Sequence, residues 1–338
     1  MATNKTKNLI STLWALLRPM TYMLLLIYLL FGISYGHAVT GENKLLTLSS
    51  TLRFILVSIA IGFWYISGTA LNDYADYEID KINLKDDKQR PLIIGIASKD
   101  LLLKVAVFCS FTSLLLSALI FNLVIFILFF VMVLLNVAYS IKPIQISRRG
   151  GLAPLLLPLG YIVLTVSSGM IISNTPLNTS SFLVIVGMYL HFMSRIVLKD
   201  HRDVKGDETA GKKTLILQYG NVLVSYLSLM LFILSTFILV YATWEYLNSA
   251  IIFIVLMASS ASTFLYQLSQ QNKWKQQKLA ITLYGRICTG LIVVFILSFN
   301  ATILNLTKIE STVIFTITVT YTFLSLIDIK NFQSRQNN

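Results

Sequence analysis

The sequence predicts an all-α, polytopic transmembrane helix bundle, and three observations predict it. The 338-residue chain is 56% hydrophobic and only 12% charged, with a mean hydropathy of +0.74, whereas soluble domains carry roughly 25% charged residues. Apolar runs of about 20 residues, the length that crosses a bilayer as a helix, recur along the whole chain. The charges gather in a few segments between those runs.

Taken in order, spans are predicted at residues 19–39, 53–73, 101–120, 121–140, 153–173, 181–198, 220–242, 248–268, 280–301 and 309–327. The separations are thinnest at Asn122 and between Asn300 and Lys308, so the bundle holds nine to ten spans within one domain covering 1–338. Met1 to Asn8 is polar, and the first apolar stretch lacks a small-residue cleavage pattern, so that stretch is expected to remain as a span. With the N-terminus inside, all of the 27 Lys and Arg except Lys44, Arg53 and Lys308 fall on cytoplasmic segments, as the excess of cations in cytoplasmic loops requires. The net charge of +12 therefore reads as basic loops facing the anionic lipid of the bilayer, with no nucleic-acid partner. Cys109 and Cys288 lie inside apolar segments, where core filling is a better reading than disulfide or metal use.

The chemistry gathers in two segments, 73–100 and 200–208, which hold 11 of the 15 Asp and Glu residues. In the first, GTALNDYADYEIDKINLKDDKQRPLIIG (Gly68 to Gly95), Asn72, Asp73, Asp76 and Asp80 precede Lys81, Lys85, Lys88 and Arg90. On one helix Asp73, Asp76 and Asp80 would stand at i, i+3 and i+7 and share a face. In the second, KDHRDVKGDETAGKKTL, Asp200, Asp203 and Asp207 repeat that spacing. Four spans separate the two motifs, so both emerge on the same side, the cytoplasmic one. This is the pattern of a parallel internal repeat.

Three carboxylates held together repel one another in a low dielectric, and a divalent cation relieves that. Magnesium takes oxygen ligands, commonly one or two carboxylates with substrate phosphates and waters. Two acidic helix ends suit a pair of such ions bridged by a diphosphate. Lys88, Arg90, Lys142, Lys212 and Lys213 suit its oxygens, Arg through a planar fork and Lys as a point charge. Ordinary solvated loops explain any single lysine equally well, but carboxylates at a membrane edge are costly and are kept for function. An ion-coupled transporter is the competing class, although coupling sites lie near the midplane at broken helices. His37 and His191 read as packed histidines and His201 as a loop residue. Arg195, one turn before Asp200, reads as its partner, and Phe63, Trp64 and Tyr65 as core or lipid-facing aromatics.

NDYADYEID has the form N-D-x-x-D-x-x-x-D, and DHRDVKGD runs on into TAGKKTLILQYG. Between them lies AYSIKPIQISRRG, with Tyr139, Ser140 and Lys142; Arg90-Pro91 follows the first motif and Arg18-Pro19 opens the first span. In these motifs and their order, residues 14 to 220 resemble the UbiA superfamily of intramembrane prenyltransferases. The resemblance implies helices around a central cavity capped on the cytoplasmic side, typically nine spans where ten are counted here. It implies that Asn72, Asp76 and Asp80, helped by Asp73, ligate one Mg2+, and that Asp203 and Asp207, with Asp200 close by, ligate a second. Asp76, Asp80, Asp203 and Asp207 would then be the catalytic acids, with Arg90, Tyr139, Lys142 and Lys213 on the diphosphate. Tyr77 stands where the family frequently has an arginine. The implied reaction moves an isoprenyl group from an isoprenyl diphosphate donor to a hydrophobic or aromatic acceptor, or a lipid-type one, with release of diphosphate. A membrane terpene cyclase or a haem-type farnesyl transferase on the same scaffold remains an alternative.

Overall fold

The structure is a computed structural model that describes residues 2–41, 48–83, 90–201 and 203–335. Among the described residues it is helical, with turns and no strand. Hydrocarbon offers no partner to a backbone N–H or C=O, so a spanning chain must bond within itself, and a helix does that. Ten helices among the described residues are long and apolar enough to span, at Pro19–Thr40, Leu48–Ala75, Lys99–Ala118, Leu123–Ser140, Leu152–Ile172, Thr179–His201, Leu215–Tyr246, Ala250–Ser269, Trp274–Ile303 and Lys308–Ile327. The count is the ten read from the sequence, not the nine usual in the family it resembles. The thin separation at Asn122 is a tight turn. Phe121 takes a left-handed backbone (φ 55°), and the Asn122 side chain caps the next helix by accepting the Ile125 N–H at 3.1 Å.

The chain divides into two compact units. The first comprises residues 1–26, 46–168 and 203–218. It contains α1 (Ala2–Leu17), the start of α2 (Pro19–Thr40), α3 (Leu48–Ala75), α4 (Tyr77–Asn83), α5 (Lys99–Ala118), α6 (Leu123–Ser140) and most of α7 (Leu152–Ile172). The end of α3 is anchored by an apolar core of Leu16, Ile66, Ala70, Leu71, Leu92, Leu102, Val105, Ala106 and Cys109. Polar ties fix its rotation. Thr69 Oγ1 donates to the Leu16 carbonyl at 2.9 Å, Ser113 Oγ to the Ala60 carbonyl at 2.9 Å, and Asn136 Nδ2 to the Trp64 carbonyl at 3.1 Å. Gly68 leaves the space that Asn136 fills, since a Cβ there would come within 2.8 Å of its Oδ1. In α7 the ladder slips into a π-helical stretch, Leu159–Leu164, just after Pro158.

The second unit comprises residues 27–45, 169–202 and 219–338. It holds the rest of α2 and α7, then α8 (Thr179–Ile196), which Asn178 caps through the Ser181 N–H at 2.8 Å. After the short α9 (Val204–Thr209) of the first unit come α10 (Leu215–Thr243), kinked at Gly220 (φ 76°), α11 (Ala250–Ser269), α12 (Trp274–Ile303) and α13 (Lys308–Arg335). Its core is aromatic, with Phe31, Tyr35, Phe295 and Phe299 meeting mostly edge to face. Cys109 and Cys288 are both buried free thiols, the core filling expected of them.

Candidate active site

The first acidic motif does not ride on a single helix. The chain bends at Asp76, where α3 ends and α4 begins, so Asp73 belongs to one helix and Asp80 to the next. This corrects the expectation of three carboxylates on one helical face. The backbone bonds run on through the bend, the Asp76 carbonyl accepting the Ile79 N–H at 2.9 Å and the Asp80 N–H at 2.8 Å, while the Asp76 carboxylate faces Lys212 rather than the helix end. The second motif is built alike. Asp203 is the N-cap of α9, and its carbonyl accepts the Asp207 N–H at 3.0 Å. Each motif thus presents one Asp at the start of a short helix and another one turn on.

Asp203 and Asp207 fold in the same unit as the first motif. Lys212 joins the two: its Nζ lies 3.2 Å from Asp207 Oδ1 and 3.5 Å from Asp76 Oδ2. Gly211 (φ 65°) turns the chain after α9 so that the Lys212 N–H bonds the Asp207 carbonyl at 2.9 Å, which aims the side chain back at the acids. Arg90 pairs with Asp73 and, at 3.2 Å, with Asp80 Oδ2. Arg18 Nη2 reaches Asp73 Oδ1 at 2.9 Å from the left-handed residue (φ 44°) joining α1 to α2. Asp73, Asp76, Asp80, Asp207 and Arg90 are all buried. Burial pushes the Asp80 carboxyl up to about 7 against the opposing pull of Arg90, with Asp73, Asp76 and Asp203 adding like-charge repulsion.

The other expected residues are placed as follows. Asn72 is half-buried at the end of α3, and Tyr139 is half-buried at the end of α6. Lys142 and Lys213 are exposed; the Lys213 carbonyl packs on Gly150, where a Cβ would come within 2.6 Å of it. Lys88 lies outside the described residues. Tyr77, in place of an arginine, holds Lys81 Nζ 4.2 Å and Lys99 Nζ 4.7 Å from its ring centroid, a cation–π arrangement. Asp200 lies in the turn Lys199–His201 of the second unit. Buried His201 is bonded through Nε2 to Asn221 Oδ1 at 2.9 Å, a firmer place than a loop role implies. Arg195 does not pair with Asp200; the turn after Ile196 breaks the helical register, and the guanidinium bonds Tyr28 and Thr289 instead. Sequence reasoning gave Arg18 no role beside the acids and did not separate Lys212 from Lys213. Arg18 carried a signal as the cation before Pro19. The choice of Lys212 over Lys213 carried none.

Among the described residues no three His, Cys, Asp or Glu side chains converge as a metal-binding group; the acids are held on Arg18, Arg90 and Lys212. The donor set nevertheless fits a hard divalent ion. It is made of carboxylates, and Asp73 Oδ2 and Asp76 Oδ1 are buried with no hydrogen-bond partner, lone pairs that a cation would satisfy.

The sequence matches the description of the UbiA prenyltransferase family over residues 25–284. A digeranylgeranylglyceryl phosphate synthase of Methanosphaera stadtmanae is 27% identical over 283 residues, covering 83% of this chain and 95% of that protein. The Thermococcus sibiricus enzyme of the same name is 30% identical over 179 residues, 51% of this chain and 57% of its own. Among solved structures, a UbiA homolog from Archaeoglobus fulgidus bound to GPP and Mg2+ superposes with a TM-score of 0.63 at 17% identity, covering 87% of this chain and all of that one. An apo UbiA homolog from Aeropyrum pernix K1 gives 0.59 at 16% identity, covering 80% of this chain and 94% of that one.

Proposed function

This chain belongs to the UbiA prenyltransferase family and is an integral membrane prenyltransferase, and from that premise we propose that it transfers a geranylgeranyl-type isoprenyl group from its diphosphate to the hydroxyl of a prenylated glyceryl phosphate. The observation that carries the reading is Lys212, which bridges Asp76 of the first motif and Asp207 of the second. Sequentially remote acids brought to one ammonium make a single site able to grip one polyanion.

The roles follow from the residues. Asn72, Asp76 and Asp80, with Asp73, would hold one Mg2+; Asp203 and Asp207 would hold another. When bound, magnesium neutralises the departing diphosphate and so lowers the barrier to breaking the allylic C–O bond. Lys212 and Arg90, already seated on the acids, are placed to take diphosphate oxygens; exposed Lys142 and Lys213, with Tyr139, supply further contacts. The allylic C–O bond breaks with its electron pair going to the diphosphate. A new C–O bond forms to the acceptor hydroxyl oxygen, and that proton leaves with the diphosphate. The apolar spans keep water, a competing nucleophile, from the allylic carbon. The excess of Lys and Arg on one set of loops supports a cytoplasmic site. The family match, which runs through both compact units, supports one prenyltransferase domain over 1–338. The glyceryl phosphate acceptor is supported by the Methanosphaera relative, matched over nearly its whole length.

The test is prenyl transfer by membranes carrying Asp76→Ala or Asp207→Ala, with labelled geranylgeranyl diphosphate and a prenylated glyceryl phosphate. Each substitution is expected to lower turnover at least about a hundredfold, the scale on which removing one electrostatic stabiliser of the transition state acts. Undiminished transfer in either variant overturns the reading.

A further inference from the structure

Arg195 lies in the span Thr179–His201, where an unpaired guanidinium is costly and is kept only for a reason. Among the described residues no carboxylate is within ion-pair distance of it. Its hydrogen bonds leave one nitrogen only: Nη1 donates to Tyr28 Oη at 3.3 Å and to Thr289 Oγ1 at 3.4 Å. On the other side the structure leaves room. Apart from its own helix and chain neighbours, the one atom within 4 Å of a Cβ built on Gly285 is Arg195 Nη2, at 3.6 Å. Protein surrounds Arg195, and the residue is nevertheless only half-buried. Tyr28 adds a second donor. Its side chain is fully buried, and its hydroxyl accepts from Arg195 while its own proton meets no acceptor among the described residues. Thr289 is committed, since its hydroxyl donates to the Gly285 carbonyl at 3.0 Å. All four residues belong to the second compact unit.

A guanidinium with open donors, next to a buried hydroxyl proton and a space held open by glycine, has one missing complement: an anion with several oxygens. We propose that Arg195, with Tyr28, binds the phosphate monoester of the acceptor and makes the enzyme select a phosphorylated glyceryl lipid over its alcohol. A fork pairs with two phosphate oxygens at once, which an ammonium cannot do. The identity of the anion rests on the acceptor reading above; the existence of the anion site does not.

The experiment uses the full chain in lipid nanodiscs with two probes, a prenylated glyceryl phosphate and the same lipid lacking the phosphate. Binding of each is measured by thermal shift, without donor, and the KM of each by turnover. The wild type is expected to bind the phosphate lipid more tightly and to use it at lower KM. Arg195→Gln is expected to raise that KM by about tenfold or more and to erase the preference, because charge-assisted hydrogen bonds are lost. The donor KM stays unchanged. Arg195→Lys recovers part of the preference, Tyr28→Phe weakens it, and Gly285→Val abolishes it by filling the space with the charge intact. A wild-type preference that survives in Arg195→Gln overturns the proposal, as does a wild type that binds both lipids equally or a rise in donor and acceptor KM together. Arg195-dependent binding of the phosphate lipid without turnover would keep the anion site and overturn the acceptor reading instead.

Discussion

Arg90→Met isolates the electrostatics of the acidic site. In the folded protein Arg90 neutralises Asp73 and, at 3.2 Å, Asp80, and all three groups are buried. Breaking a buried pair by removing one partner costs about 3–5 kcal/mol. The lower end is expected, since Asp73 keeps Arg18 at 2.9 Å. The diagnostic part is the pH dependence. Burial has already pushed the Asp80 carboxyl up to about 7 from its ordinary 3.8, with Arg90 holding it down. Arg90 holds that carboxyl down, so in Arg90→Met it titrates higher still. A raised carboxyl means that the folded state keeps a proton the unfolded chain has lost, so stability falls with rising pH until the folded group ionises. In the wild type that fall ends near 7; in the variant it continues, at about 1.4 kcal/mol per pH unit. Below 7 the two curves run parallel, and by pH 8.5 the gap is about 1–2 kcal/mol wider for a loss of about 1–3 pKa units. The assay is unfolding by SDS titration in mixed micelles with EDTA, at half-unit steps from pH 6 to 9. A constant gap across that range would refute the reasoning, because it would mean that Asp80 does not feel Arg90.

Two further substitutions test the site's frame. Lys212→Met removes the ammonium shared by Asp76 and Asp207, and the donor KM is expected to rise roughly tenfold to a hundredfold, the worth of one or two charge-assisted hydrogen bonds; steady-state kinetics with an unchanged donor KM would remove Lys212 from the diphosphate. Gly150→Ala places a Cβ 2.6 Å from the Lys213 carbonyl at a backbone φ of 51°. It is expected to lower stability by about 1–3 kcal/mol, read as an earlier unfolding midpoint, and an unmoved midpoint would show that the loop before α7 shifts freely.

The spans were legible because lipid is a single-minded solvent: it rewards one composition over one length, and both can be counted along the chain. The two acidic motifs stood out for a related reason, since carboxylates concentrated at the ends of apolar runs have few uses. The bend at Asp76 was not. No Gly or Pro interrupts residues 69–83, and i, i+3, i+7 spacing suits an unbroken helix as well as a broken one. The bend falls at Asp76, whose carboxylate turns to Lys212, and Asp203 begins α9 without a side-chain cap bond, so no capping signal marks either break in the sequence. Lys212 and Lys213 were indistinguishable for a different reason. Adjacent residues point to opposite sides, and only the left-handed turn at Gly211 decides which of them meets the acids.

The cations that hold the acids come from three separated segments, and two of them, Arg18 and Arg90, stand directly before a proline. Left-handed turns at Arg18 (φ 44°) and at Gly211 (φ 65°), just ahead of Lys212, aim two of these cations at the acids. The acids thus fold against positive charges of the chain itself, Asp73 and Asp80 on Arg90 and Asp76 and Asp207 on Lys212. The carboxylates that would hold a divalent ion are the ones Arg90 and Lys212 already pair with, so on the proposed reading neutralisation of the acids and recognition of a diphosphate would draw on one set of charges.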